Sequence, residues 1–143
     1  MKNTLQIWTV GHSNRSIDAF LELLGEHGIQ VLADVRSFPT SKVEHFKREE
    51  MEKWLPERGI EYVWLGKELG GYRRGGYGRH MRTKLFRDGI NRVLEMAKAK
   101  RACIMCMEVK PKYCHRRFIS THLERKGVKV IHIIEEGQKS LLT

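Results

Sequence analysis

Cys114, His115 and Arg116 follow one another at a point where a helical pattern begins, and their types are suited to chemistry. A cysteine at the start of a helix, close to cationic side chains, has an environment that lowers the pKa of a thiol and makes the sulfur nucleophilic. The spacing differs from that of a tyrosine phosphatase, because Ser120 stands where such an enzyme has its arginine. We therefore expect Cys114 to be a nucleophile or redox thiol; an inert buried cysteine is the alternative.

Gly11, His12 and Ser13 form a second group, directly after an apolar run and before a helical pattern. A glycine lets the backbone approach a ligand, and the amides of a helix N-terminus together with a hydroxyl can hold an anion. His12 could carry a proton in such a site, or it could only satisfy backbone groups at a strand end. The segment matches neither a Walker A loop nor a dinucleotide fingerprint, so we expect no NAD or Walker-type ATP site, and the cofactor stays unknown.

Asp34 and Arg36 form a third group at the end of another apolar run, and Pro39 follows shortly after. Residues two apart on an extended chain point to the same side, so the carboxylate and the guanidinium could grip a ligand together. An ion pair that only shapes the loop is the other interpretation.

Cys103 and Cys106 have the spacing of half a zinc site, but they lie in a strand-like run. Side chains three apart on a strand face opposite sides, so the two sulfur atoms should diverge and both residues should be small buried hydrophobes. We predict no metal site, although an irregular one built from Cys106, Cys114 and histidines stays open. The three cysteines are expected to be thiols, and Glu108 should meet a partner or a ligand at the end of a central strand.

A long connection over residues 65–80 contains six glycines, three arginines and two tyrosines. Such connections within compact domains are in most cases functional or disordered. This one leaves a predicted strand at the ligand edge, so it could be a mobile lid that lays Arg73 and Arg74 over an anionic substrate. It could instead contact single-stranded nucleic acid through tyrosine stacking and arginine–phosphate pairs.

The elements that must position these residues alternate regularly along the chain. Strand-like runs cover residues 5–10, 29–34, 61–65, 102–108 and 129–134, and helical patterns cover about 16–28, 48–58, 83–100 and 114–126. Strand, helix, strand throughout predicts right-handed parallel crossovers and a single-domain α/β/α sandwich of three layers.

The predicted sheet is five-stranded and mainly parallel, with the Rossmann-like or flavodoxin-like order 3-2-1-4-5. In this order the switch point lies between strands one and four, and ligands bind at the carboxyl edge of the sheet beside it. His12, Arg36 and Cys114 all follow strand ends at that edge. We therefore expect these three residues to line one cleft.

The composition fits one domain, residues 1–143, with a net charge of +10. Eight basic and two acidic residues lie between positions 67 and 92, which favours a phosphate-bearing small molecule or nucleic acid as partner; a solvated basic surface is the alternative. The apolar runs are too short for a membrane span, and no signal-peptide charge pattern precedes them. We expect a soluble, cytoplasmic protein with no membrane partner and an undetermined oligomeric state.

Several short motifs together resemble one family. They are Thr9-Val10-Gly11-His12-Ser13, Asp34-Val35-Arg36 with Pro39, Leu69-Gly70-Gly71, and Cys106-Met107-Glu108 followed by Cys114-His115-Arg116. The ordered set is similar to the DUF488 family of uncharacterised prokaryotic proteins over nearly the whole chain. The resemblance implies a compact α/β domain and supplies no established activity. Met107 departs from it, since related sequences often carry a small residue before the glutamate.

The leading hypothesis is an enzyme or enzyme-like domain that binds a phosphorylated or nucleotide-like anionic ligand at the carboxyl edge. The alternatives are a non-catalytic nucleic-acid-binding module that uses residues 67–92, and a metal or thiol sensor domain. Two groups of site residues follow from the leading hypothesis: catalytic Cys114, His12, His115 and Glu108, and ligand-binding Gly11, Ser13, Asp34, Arg36, Arg73, Arg74 and Arg116.

Overall fold

Five parallel strands form one sheet between two layers of helices in the computed structural model, which describes residues 4–111 and 114–134. The strands are β1 Gln6–Gly11, β2 Val31–Asp34, β3 Glu61–Trp64, β4 Ala102–Cys106 and β5 Lys129–Ile133. The helices are α1 Ile17–Glu26, α2 Arg48–Glu57, α3 Gly66–Leu69, α4 Tyr77–His80, α5 Lys84–Ala99 and α6 Arg116–Arg125, and a 3₁₀ turn, Glu44–Phe46, precedes α2. The α/β fold predicted from the sequence is confirmed.

The two faces of the sheet carry separate cores, because successive strand residues point to opposite sides. Cys103 and Met105 of β4 pack in the core beneath α1 and α2, whereas Ile104 and Cys106 pack in the core beneath α3, α5 and α6. The predicted divergence and burial of Cys103 and Cys106 are therefore confirmed. No helix in the described ranges is long and apolar enough to cross a membrane.

The strand order is β3-β2-β4-β1-β5, so β1 and β4 exchange places relative to the predicted order. All five residues of β4 are buried, whereas β1 begins at the partly exposed Gln6, which suits β4 to the centre of the sheet. β4 pairs with β1 on one side and with β2 on the other. The helices that follow these two neighbours pack on one face, and the helix that follows β4 packs on the opposite face. Crevices for a ligand therefore border the carboxyl end of β4 on both sides.

β4 ends at Cys106, two residues earlier than predicted, so Glu108 lies in the following loop. The loop runs tightly against the end of β1: the amide N–H of His12 donates to Cys106 O at 2.9 Å, and that of Ser13 donates to Met107 O at 2.9 Å. A Cβ atom on Gly11 would stand 1.8 Å from the carbonyl oxygen of Glu108. Gly11 therefore permits close packing between two chain segments, and its place in the fold accounts for the residue type without a ligand.

We predict that Gly11→Ala lowers the free energy of unfolding by about 2 kcal/mol or more, because two backbone segments must separate to admit a methyl group. Gly25→Ala is the matched control: Gly25 lies inside α1, and nothing stands within 4 Å of its added Cβ. This control should be neutral or stabilising by up to about 1 kcal/mol. Urea unfolding of the two variants and the wild type makes the comparison, and equal stability of the two variants would contradict the prediction.

Candidate functional site

A pocket of about 440 Å³ opens at the carboxyl edge of the sheet, beside the end of β4. Its lining comes from three segments, one after β2, one between α3 and α4, and one after β4. The lining residues are Arg36, Ser37, Phe38, Thr40, Gly71, Tyr72, Cys106, Met107, Glu108, Cys114 and His115. The volume lies in the range of small-molecule sites.

Cys106 and Cys114 meet in this pocket, and their sulfur atoms are in direct contact. The sequence predicts three thiols, and the structure brings two of them, Cys106 and Cys114, within reach of a disulfide bond, whereas Cys103 is free and buried. The reason lies in the chain path, because the loop after β4 returns Cys114 over the end of the strand that carries Cys106. Burial raises the pKa of the Cys103 thiol, so Cys103 is the least reactive of the three.

Arg116 lies behind the pair as a fully buried cation. Its Nη1 group donates to the Sγ atom of Cys106 at 3.4 Å, and Nη2 donates to the carbonyl oxygen of Val109. Nε has no hydrogen-bond partner, and no carboxylate forms an ion pair with Arg116 in the described part of the chain. Burial lowers the pKa of Arg116 to about 10, so the group is still charged at neutral pH. A thiolate at Cys106 would supply the missing negative charge.

His115 lies beside Cys114 in a defined orientation. The Nε2 atom stands 2.9 Å from the carbonyl oxygen of Val35, and Nδ1 stands 3.7 Å from the Sγ atom of Cys114. A carbonyl oxygen only accepts, so Nε2 carries the proton and Nδ1 presents a lone pair to the thiol. Burial lowers the pKa of His115, which favours this neutral form. The arrangement suits Nδ1 to accept the thiol proton of Cys114.

Arg36 lines the pocket, but its guanidinium is occupied by protein groups. Nε and Nη2 donate to the two carboxylate oxygens of Asp34 at 2.9 and 2.7 Å. Nη1 donates to the carbonyl oxygen of Phe46 at 2.7 Å and approaches Nε2 of His12 at 3.2 Å. The hydroxyl group of Tyr62 donates to the same carboxylate. Of the two interpretations of Asp34 and Arg36, these contacts match the ion pair that shapes the loop.

His12 lies behind Arg36, outside the pocket lining, with 1% of its surface exposed. Nδ1 donates to the carbonyl oxygen of Ser13 at 2.8 Å, so Nε2 accepts from Arg36. Burial is the main cause that lowers the pKa of His12 to about 4. Both ring nitrogens are therefore engaged, Nδ1 with Ser13 and Nε2 with Arg36, and His115 is the better placed of the two predicted proton carriers.

The pKa of His12 predicts a pH dependence of stability. The unfolded chain binds a proton at this residue near the ordinary value of 6.5, whereas the folded chain binds it only near 4. The stability that comes from a neutral His12 is therefore fully present above pH 6.5. It is lost as the pH falls from 6.5 towards 4, by about 2–3 kcal/mol in the free energy of unfolding. We expect His12→Gln to flatten this part of the pH profile in urea unfolding experiments. An equally steep loss of stability in the variant would contradict the assignment.

The segment before α5 is joined to the backbone of residues 66–70 by several hydrogen bonds. Arg73 donates hydrogen bonds to the carbonyl oxygens of Gly66, Lys67 and Gly70, and the hydroxyl group of Tyr77 donates to Leu69 O at 2.7 Å. Arg74 is exposed. Elsewhere in this basic segment, some cations are paired, as in the ion pairs Lys84–Asp88 and Arg92–Glu68. Binding of an anion or of nucleic acid by this segment stays a prediction.

Arg73 is hydrogen-bonded to the backbone and its neighbour Arg74 is exposed, so alanine substitutions at the two positions test whether those hydrogen bonds stabilise the fold. Arg73→Ala removes the donors to three carbonyl groups and should lower the free energy of unfolding by about 1–3 kcal/mol. Arg74→Ala should change it by no more than about 0.5 kcal/mol, as an ordinary surface substitution does. Thermal or urea unfolding measures both, and a neutral Arg73→Ala would show that these hydrogen bonds contribute nothing.

Of the predicted site residues, Cys114, His115, Glu108 and Arg36 line the pocket, while Gly11, His12, Ser13, Asp34, Arg73, Arg74 and Arg116 do not. The expectation that His12, Arg36 and Cys114 line one cleft holds for Arg36 and Cys114, whereas His12 is buried behind Arg36 and lies outside the lining. Within residues 4–111 and 114–134, no cluster of three or more His, Cys, Asp or Glu side chains could hold a metal ion.

Three further residues, Cys106, Phe38 and Tyr72, line the pocket and are not among the predicted site residues. The strand pattern predicts a buried hydrophobe at Cys106, and nothing in the spacing of the cysteines indicates that Cys114 returns to it. Phe38 and Tyr72 stand out only as large hydrophobic side chains within loops, the first beside Pro39 and the second in a glycine-rich segment. Neither residue has apolar neighbours at helix or strand spacing, so no pattern in the sequence indicates that its side chain is buried.

The sequence model of one protein family, described as Domain of unknown function DUF488, matches residues 16–123. The matched range begins after His12 and includes Arg36, Cys106, Cys114 and His115. No curated protein matches the chain significantly.

Proposed function

The chain belongs to the DUF488 family, whose function is unknown, and from the geometry of its pocket we propose that it is a thiol-dependent oxidoreductase. In this proposal Cys114 attacks a disulfide bond of the substrate, and Cys106 completes the exchange. The main support is the contact between the two sulfur atoms inside a pocket of small-molecule size. A second sulfur within bonding reach allows a covalent intermediate on Cys114 to be resolved without another protein.

The groups around each sulfur suit different roles. Cys114 is the more exposed cysteine, and it has the Nδ1 atom of His115 as a base and the amide N–H of Arg116 as a donor at 3.5 Å. Cys106 is 2% exposed and contacts the guanidinium of Arg116. An accessible thiol with a base suits the attacking group, and a shielded thiolate beside a cation suits the resolving group.

The proposed exchange proceeds in two steps. His115 takes the proton of the Cys114 thiol, and the thiolate attacks one sulfur of the substrate disulfide, so that a mixed disulfide forms and the first substrate thiolate leaves with the proton. The thiolate of Cys106 then attacks the Sγ atom of Cys114, which forms the Cys106–Cys114 disulfide and releases the second substrate sulfur as a thiolate that takes a proton from water. The substrate gains two electrons and the protein loses two. An external dithiol reductant returns the protein to its reduced state.

A phosphorylated or otherwise anionic ligand, the first hypothesis from the sequence, has less support in the geometry. All the nitrogen atoms of Arg36 already donate to protein groups, and Arg116 is fully buried. Burial lowers the pKa of His115, which disfavours its cationic form, and the acidic residue Glu108 is among the lining residues. A disulfide substrate needs no cationic side chain to bind its reacting sulfur, so this pocket suits a disulfide better than an anionic ligand.

We predict that the reduced protein reacts with dipyridyl disulfide to release two pyridinethiol molecules and to lose two hydrogen atoms in mass. Cys106→Ser should release one molecule and retain a pyridylthio group on Cys114, because nothing resolves the mixed disulfide. Cys114→Ser should lose the fast phase of pyridinethiol release, because the attacking thiol is absent. Absorbance and mass spectrometry of the intact protein follow these products.

Alkylation provides an independent control. Iodoacetamide near neutral pH should modify Cys114 of the reduced protein well before Cys103, whose burial makes it the internal reference. His115→Gln should slow the reaction of Cys114 without changing that of Cys103. Labelling of Cys114 only after denaturation, or a fast phase that survives in Cys114→Ser, would refute the proposed function.

A further inference from the structure

We propose that the site selects disulfides in which an aromatic or other flat apolar group adjoins the reacting sulfur, and that Phe38 and Tyr72 bind that group. This inference rests on the proposed function and adds the class of substrate. Its basis is the unusual exposure of hydrophobic side chains around the sulfur pair.

In the described part of the chain, the large hydrophobic residues that are exposed are Phe38, Tyr72 and Met107, at 68%, 91% and 54%. All three line the pocket that holds Cys106 and Cys114. Exposed apolar side chains cost solvation free energy, and their concentration around one pocket is typical of a binding site.

The two aromatic rings contact each other at the pocket. Their centroids are 5.9 Å apart, which is direct contact in a tilted arrangement. The loops that carry them are joined by the hydroxyl group of Ser37, which donates to Gly71 O at 2.6 Å. Tyr72 has a φ of 57°, which few residues other than glycine adopt, and this backbone conformation points to a constrained loop.

The charges in the pocket favour a neutral ligand over an anionic one. Arg36 is paired with Asp34, and Glu108, an acidic residue, is among the lining residues. The strongly basic composition of the chain is therefore not reproduced inside the pocket. Met107 adds a flexible thioether, which contacts aromatic rings favourably. A neutral aromatic group held against Phe38 and Tyr72 would lie beside the accessible sulfur of Cys114.

The test uses two neutral disulfides, dipyridyl disulfide as the aromatic probe and bis(hydroxyethyl) disulfide as the aliphatic probe. For each protein, the rate with the aromatic probe is divided by the rate with the aliphatic probe. Since the intrinsic reactivity of a probe is the same for every variant, differences in this ratio report binding. We expect Phe38→Ala combined with Tyr72→Ala to lower the ratio about 10-fold relative to the wild type.

A ring-exchange variant, Phe38→Tyr with Tyr72→Phe, is the matched control, because it keeps both rings and moves only a hydroxyl group. It should retain most of the wild-type preference. Melting temperatures of both double variants check that the fold is intact, as expected for exposed side chains.

An unchanged ratio in the alanine double variant would overturn the inference, as would an equal loss in the alanine and the ring-exchange variants. Failure of the proposed function has a different signature. If Cys114→Ser reacts with both probes as the wild type does, the thiol mechanism fails. If Cys114→Ser is inert while the alanine double variant keeps the wild-type ratio, only the selectivity for aromatic groups fails.

Discussion

The buried ion pair between Asp34 and Arg36 holds the carboxyl edge of the sheet together. Arg36 links the end of β2 to His12 after β1 and to the backbone of Phe46 before α2, while Asp34 accepts from Tyr62 of β3. Burial of two charges is tolerated only when their hydrogen-bonding groups are satisfied, and each contact here meets that need. One arginine thereby fixes three segments around the pocket, and it is not available as an anion clamp.

The position of β4 at the centre of the sheet determines where the pocket forms. Its carboxyl end lies between β1 and β2, so the loop that follows it contacts both Gly11 and the region of Arg36. Cys106 is the last residue of this strand, and α6 begins at Arg116, directly beneath it. The pocket, the sulfur pair and the buried cation therefore depend on one strand end. A shift of β4 to the edge of the sheet would separate them.

Hydrophobic alternation and the strand–helix rhythm were sufficient to predict the α/β class, the parallel sheet and the placement of His12, Arg36 and Cys114 at one edge. They also predicted that Cys103 and Cys106 diverge, because that follows from strand geometry alone. The exchange of β1 and β4 could not be predicted, since burial on both faces differs only slightly between the two runs. The contact of Cys106 with Cys114 and the contact of Phe38 with Tyr72 depend on the paths of loops, and loop sequences have no periodic pattern from which a path can be predicted.

The most direct test of the proposed chemistry is a redox equilibrium of the full chain in mixtures of reduced and oxidised dithiothreitol. Acid quenching, denaturation, alkylation and peptide mass analysis then report each cysteine separately. We predict that Cys106 and Cys114 lose alkylation together along one two-electron curve while Cys103 stays alkylatable throughout. Separate titration of Cys106 and Cys114, or free thiols at both positions in every mixture, would contradict a reversible dithiol–disulfide pair.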